Sequence, residues 1–408
     1  MIKILRIIAR LNVGGPARHV IWLTKELQDD EFQTSLIAGT VPPGEEDMSY
    51  FAAENAVTPC YVAEMSRELS AKDIVSVFKI YKHIRRASPD IIHTHTAKAG
   101  TVGRIAGFAY RWITWGTLIG RPRRVRMVHT FHGHVFHSYY GKAKTLIFLG
   151  IERILARTAT DRIIVISQQQ LREIHEAFRV GKKEQFRVVP LGIDLDVFGS
   201  NEFKATNVRS DIGALEGDTV VGLVGRLTEI KNIELLLKVA AMYNDLPDDA
   251  KPSLKFVIIG DGHLRPSLEL TAEQLGVTGI LTFLGNRTDT ERLYKGLDIV
   301  ALTSLNEGTP LSLIEGMASG RAVISTRVGG VIDLLGLMRD DYGGFQVCER
   351  GVGVEPGSVE SYLNGLLLLA RDVGLRKDLA KAGRHFVEEK YNKNRLVDEI
   401  KELYREIV

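Results

Sequence analysis

"DIVALTSLNEGTPLSLIEGMASGRAVISTRVGG", Asp298 to Gly330, is the stretch on which the fold turns. A β-branched apolar run, a loop, a helix-length stretch and a second β-branched run follow one another. That succession is a βαβ unit, whose parallel strands are buried on both faces. Thr309 is placed to cap the helix, and Pro310 suits the first helical position, where a missing N–H costs nothing. The free N–H groups of Leu311 and Ser312 then point out of the helix start, at the positive end of its dipole. This makes an anion site, most naturally for phosphate. Glu307 and Glu315 flank it. A carboxylate beside bound phosphate is repelled, so each suits hydroxyls of the same ligand; taken alone, they also fit a turn acid and an exposed helix residue.

The same rhythm extends outward to both ends. "IKILRIIA", "QTSLIAGT", "TPCYVA", "DIIHTH", "VRMVHTFH", "DRIIVIS" and "FRVVP" read as strands in the first half, and "TVVGLVGR", "LKFVIIGDG", "ILTFLG", "DIVALTS" and "RAVISTR" in the second. The rhythm pauses at "PLGIDLDVFGS" and restarts. The expectation is an α/β protein of two doubly wound, Rossmann-like domains, residues 1–197 and 198–392. A last helix within 393–408 crosses back to the first, and ligand lies in the interdomain cleft at the strand carboxyl ends. In "VGLVGRLTEIKN", Gly225 ends a strand and Arg226 and Lys231 bracket the following turn. A forked donor and a point charge are a sensible pair for a diphosphate. In "ARLNVGGPARHV", Gly14 and Gly15 let backbone approach a ligand closely.

Composition narrows the class. The 408 residues are 45% hydrophobic and 25% charged, with two cysteines, Cys60 and Cys348, far apart. That describes a soluble globular chain of a reducing compartment. "MIKILRIIARLNVGG" has no signal-peptide pattern, and Arg104 and Arg111 interrupt "TVGRIAGFAYRWITWGTLIG", so no span is expected. Residues 1–200 carry 28 Lys+Arg against 19 Asp+Glu, and residues 201–408 carry 25 against 31, a contrast of +9 and −6. No acid occurs between Ile91 and Ile151. Lys98, Arg104, Arg111, Arg121, Arg123, Arg124, Arg126, Lys142 and Lys144 stand there among Tyr110, Trp112, Trp115, Tyr139 and Tyr140. Basic and aromatic residues together suit an anionic membrane surface, and no nucleic-acid motif accompanies them. Six histidines also fall there: His93, His95, His129, His132, His134 and His137. A metal cage would want carboxylates to complete it, and the segment has none.

"GRLTEIKN", "VIIGDGHLRPSLE", "FLGNRTD" and "EGTPLSLIEGMASGRAVISTRVGG", in this order, resemble the donor-binding domain of retaining GT-B-fold glycosyltransferases of the family-four group. The Gly-Gly loop, "VHTFHGH", "DRIIVIS" and "VVPLGIDLDVF" extend the resemblance over essentially the whole chain. Glu307 and Glu315 match that group's Glu-x7-Glu. The resemblance implies that Arg226 and Lys231 neutralise the leaving diphosphate, that Gly14 and Gly15 contact it through backbone, and that Glu315 holds the ribose. Glu307 and the turn Gly308, Thr309, Pro310, Leu311 and Ser312 would hold the donor sugar, with Arg287 in the same donor site. His132 would face the sugar near its reacting carbon, and His134 is a candidate for the acceptor side. It further implies no cofactor beyond a nucleoside-diphosphate sugar, most naturally UDP-linked, and no metal; Asp194 and Asp196 of "DLD" are turn residues. The acceptor would be a polyprenyl-diphosphate-linked saccharide of surface polysaccharide assembly, at the cytoplasmic face of an anionic membrane. The rival readings are a GT-B-fold nucleotide-sugar epimerase and a metal-dependent hydrolase using the histidines.

Overall fold

The computed structural model describes residues 1–12, 14–42, 47–65, 72–132, 142–199, 208–247, 251–287 and 289–408. The chain divides into two units, Met1–Gly192 with Lys393–Val408, and Ile193–Asn392.

In the first unit, seven parallel strands form one sheet: β1 (Ile2–Ile8), β2 (Phe32–Ala38), β3 (Cys60–Tyr61), β4 (Ile91–His95), β5 (Arg126–Phe131), β6 (Arg162–Val165) and β7 (Phe186–Val188). Their order is β3-β2-β1-β4-β5-β6-β7, so the winding reverses between β1 and β4. The expected strands all form, and β1, β4, β5 and β6 are largely buried on both faces, as parallel strands covered by helices are. The helix Lys393–Ile407 belongs to this unit. It lays Leu396, Ile400, Leu403, Tyr404 and Ile407 onto Ile4, Leu23, Phe32, Ile91, Val128 and Ile164. That apolar stripe follows the 3.6-residue period of a helix covering a core.

The second unit has β8 (Thr219–Val224), β9 (Leu254–Ile259), β10 (Leu281–Gly285), β11 (Ile299–Leu302), β12 (Ala322–Thr326), β13 (Met338–Asp341), β14 (Phe345–Cys348) and β15 (Val352–Val354). Their order is β10-β9-β8-β11-β12-β15-β14-β13, reversing between β8 and β11. β15 joins β12 in parallel, whereas β14 pairs antiparallel with both β15 and β13. These last three strands were not among those expected. "MRDD" at β13 is exposed at all four positions and has no apolar alternation to read. A short charged strand is how a sheet edge resists pairing with other chains.

Two local expectations need correction. The helix after β11 is Leu311–Ala318, so Pro310, not Thr309, is its N-cap, and Pro310 does not occupy the first helical turn. The Pro310 backbone is extended (φ −74°, ψ 110°), and its carbonyl accepts from Leu313 (3.2 Å) and Ile314 (3.4 Å). The basic segment is also less of a surface than its sequence suggests. Arg104 is fully buried against Glu152, Lys98 is buried beside Asp73, and Arg111 pairs with Asp161. Among the described residues, no helix is long and apolar enough to cross a membrane.

Candidate functional site

The cluster expected to bind the donor lies at the reversal of the second sheet, where parallel α/β folds leave a crevice beyond the strand ends. β8 and β11 are neighbours. Past β8 the chain makes a 3-10 turn, Glu229–Lys231, and Asn232 takes a left-handed conformation (φ 47°) before the helix Ile233–Asn244. Leu305 N–H donates to the Ile230 carbonyl (2.8 Å), and Thr303 Oγ1 donates to the Lys231 carbonyl (2.8 Å). These bonds tie the two loops together and bring Lys231 Nζ to Glu307 Oε1 at 2.5 Å. Ser304 Oγ donates to the same oxygen at 2.6 Å.

Gly329 and Gly330 hold the Glu307 loop from behind. The Gly330 N–H donates to the Glu307 carbonyl (2.9 Å). A Cβ on Gly329 would stand 1.9 Å from the Glu307 carbonyl oxygen, and one on Gly330 1.7 Å from that of Gly308. No other residue type lets the two backbones approach so closely. Glu315 is buried inside the helix Leu311–Ala318, and Tyr294 donates its hydroxyl to Oε2 at 2.8 Å. The N–H groups of Leu311 and Ser312 precede the first intrahelical bond and open at the positive end of the helix. Arg226 is exposed, without a side-chain partner among the described residues. Arg287 is already engaged: its fork meets Asp289 at 2.8 Å and Asp211 at 3.3 Å, and the Asp289 bonds raise its pKa further. A diphosphate would compete with two carboxylates for it.

The first unit holds the other predicted residues at the reversal of its own sheet. Gly14 precedes the helix Gly15–Glu26 with φ 156° and ψ 169°, a region open essentially to glycine alone. His132 lies just past β5 and hydrogen-bonds His95 at the end of β4, Nε2 to Nδ1, 2.9 Å. His129 is buried within β5 against the Thr94 hydroxyl (2.9 Å). His134 and His137 lie outside the described residues.

Burial pushes the His132 pKa down to about 3. Burial also drives His19, His93, His95 and His129 well below the usual range, reinforced by neighbouring imidazoles and arginines. All are therefore neutral at pH 7. Ring nitrogens of His19, His95 and His132 come within 4.8 Å of one another. No carboxylate or thiolate completes the group among the described residues. Within the group, His95 and His132 are hydrogen-bonded to one another.

Ser304, Tyr294, Gly329, Gly330 and His19 were not singled out from sequence as site residues, and His95 was weighed only as a metal ligand. Only the glycine pair carried a local signal, ending the "ISTRVGG" motif.

Comparison with known proteins agrees along the chain. Residues 13–197 match the family described as Glycosyltransferase Family 4, and residues 205–386 match Glycosyl transferases group 1. The UDP-Gal:alpha-D-GlcNAc-diphosphoundecaprenol alpha-1,3-galactosyltransferase of Escherichia coli is 29% identical over 357 residues, 87% of this chain and 85% of the relative. A D-inositol 3-phosphate glycosyltransferase of Nocardia farcinica is 28% identical over 78% of this chain and 71% of its own. The crystal structure of Anabaena Alr3699/HepE in complex with UDP superposes with a TM-score of 0.77 over 99% of this chain and 100% of that one. At 20% identity, that last likeness speaks for the fold alone. The chain belongs to the family-four, group 1 glycosyltransferases and is built on the GT-B fold.

Proposed function

We propose that the protein moves a hexose from a UDP-linked sugar to a polyprenyl-diphosphate-linked saccharide, with retention of anomeric configuration and without a metal ion or other cofactor. The observation that carries this reading is the Lys231–Glu307 pair (2.5 Å) beside the Leu311 helix start. The name of the Escherichia coli relative, with its UDP donor and diphosphoundecaprenol acceptor, supports the choice of substrates.

Without donor, Lys231 and Glu307 neutralise one another. An arriving diphosphate takes the Lys231 ammonium together with Arg226 and the Leu311 and Ser312 N–H groups. Glu307, still held by Ser304, turns to a sugar hydroxyl, and Glu315, steadied by Tyr294, takes the ribose. The family resemblance assigns the Gly14–Gly15 backbone to the diphosphate and His132 to the sugar. As the bond from the anomeric carbon to phosphate breaks, the acceptor oxygen bonds that carbon on the same face. The acceptor's hydroxyl proton passes to the departing phosphate oxygen. Cations and helix N–H groups aimed at that oxygen favour the transition state over the bound substrate. Lys231→Ala and Glu307→Ala are each expected to lower kcat by roughly 10²–10³ while Tm holds. Near-normal turnover in either would sink the assignment. Sugar isomerised in acceptor-free incubation would favour an epimerase, and activity lost to a chelator would favour metal chemistry.

The acceptor chemistry implies a membrane surface on the cytoplasmic side. The first unit exposes Ile105, Phe108 and Trp112 along the helix Ala97–Trp112, then Ile113, Trp115 (88% exposed), Leu118 and Ile119 (72%). Arg121 and Arg124 follow, both exposed. Each exposed Arg contributes about 1 kcal/mol toward an anionic bilayer, and the apolar side chains can enter its interface. Sedimentation with vesicles containing anionic lipid should carry the protein down, and Trp115→Ser with Ile119→Ser should lower the bound fraction several-fold, about 1 kcal/mol or more. Equal binding to neutral vesicles, or an unaffected variant, would reject this surface.

A further inference from the structure

Beneath the helix Lys393–Ile407, β1, β4 and β5 assemble a polar layer inside the first unit. Arg6 and His93 are register partners on adjacent strands, and His95 stands two residues further along β4. The Arg6 guanidinium donates to the Tyr404 hydroxyl (3.3 Å), which leaves that hydroxyl's proton for His93 Nδ1, 2.6 Å away. A neutral His93 then carries its own proton on Nε2 and gives it to Thr130 Oγ1 at 2.7 Å. His95 stacks on His93, ring centroids 4.1 Å apart, and meets His132 on its other side. His19 closes over the His132 ring edge-on at 4.9 Å. The proposed transfer step uses only His132 of these groups.

One proton lies in the 2.9 Å bond between His95 Nδ1 and His132 Nε2. If His95 supplies it, the proton of a neutral His132 sits on Nδ1; if His132 supplies it, Nδ1 is bare. His132 Nδ1 is buried without a partner among the described residues, so it is the nitrogen left for a ligand. The two cases also differ at His95 Nε2, which is buried without a partner. In the first case it is a lone pair, in the second an N–H. Arg6, on the same sheet face as His93 and His95, has no carboxylate partner among the described residues. A nearby cation favours a lone pair over an N–H dipole.

We propose that His95 is a positioning residue: it donates Nδ1–H to His132 Nε2 and so holds His132 as an Nδ1–H donor toward an oxygen of the donor sugar. This rests on the sugar contact of His132 proposed above.

The test is ¹⁵N NMR of ring nitrogens in the full chain labelled at histidine, assigned with His132→Gln, beside steady-state kinetics. The unaltered protein should show His132 protonated at Nδ1 and bare at Nε2. His95→Asn, whose amide N–H can stand where Nδ1–H stood, should keep that tautomer and most of kcat. His95→Leu fills space without donating. It should shift the proton to Nε2 and lower kcat about tenfold, the worth of one hydrogen bond, with the donor KM little changed. If the Leu variant misfolds, His95→Gln serves instead, because its amide reaches the Nε2 position rather than Nδ1. A His132 protonated at Nε2 in the unaltered protein, or Asn and Leu variants alike in tautomer and kcat, would overturn the proposal. A fully active His132→Gln protein would remove the sugar contact itself, while the tautomer readings still report the His95 bond. The two failures are thereby told apart.

Discussion

Arg104 has none of its surface exposed, and its NH2 group meets both carboxylate oxygens of Glu152 at 2.6 Å. The pair joins the helix Ala97–Trp112 to the helix Lys142–Thr158 across 48 residues of sequence. Such a pair adds little over an apolar contact of equal shape, but breaking it strands a buried charge. Glu152→Ala should therefore cost about 3–5 kcal/mol, read as a fall in the denaturation midpoint. A change below about 1 kcal/mol would mean that Arg104 finds water or another acceptor. From sequence, Arg104 counted toward a basic surface, because charge type is local information and the partner's position is not. Lys231 and Glu307 differ. Both were singled out from their motifs, yet their direct ion pair was not anticipated, because it depends on two loops meeting after adjacent strands.

At the scale of elements, the loop Ser304–Pro310 is shaped less by its own residues than by the turn behind it. Gly330→Ala puts a methyl 1.7 Å from the Gly308 oxygen, so the Glu307 loop must shift or the helix Val331–Leu335 must move. The expected outcome is kcat lowered by about tenfold or more, since displacements near 1 Å at a reacting centre can cost that much or greater. Global stability should fall by less than the Glu152 change. A Gly330→Ala enzyme of normal rate would show that the loop's position is not critical. Of the twelve strands that were legible, β1 to β12, most are largely buried, whereas β3 and β7 are short and only partly buried. β13 to β15 were not legible: β13 is exposed at every position, and β14 and β15, though largely buried, are only four and three residues long.

At the scale of the whole molecule, the neutral histidines link folding to pH. His19, His93, His95, His129 and His132 all have folded pKa values below the unfolded value of about 6.5. Between those values the unfolded chain binds more protons than the folded one, so stability rises with pH there. The contribution is complete above about pH 6.5 and is lost as pH falls below it, at about 1.4 kcal/mol per pH unit for each proton. Urea midpoints should drop steeply from pH 7 to pH 5, before most carboxylates titrate. A flat profile over that window would mean that the histidine layer opens to water in the native state.

The sequence by itself determined the two-unit α/β class, the returning terminal helix and the family. Each is written locally: apolar runs of strand length, amphipathic helical periods, and glycines or charges at fixed spacing after a strand. Tertiary structure alone decided which charges face water, which histidine nitrogen is left for a ligand, and what orients each acid. Glu307 depends on Lys231 and Ser304, Glu315 on Tyr294, and His132 on His95 and His19. Apart from Ser304, three residues before Glu307, these partners lie between 21 and 113 positions away. They meet only because parallel strands align their carboxyl ends, and one-dimensional spacing does not record that alignment.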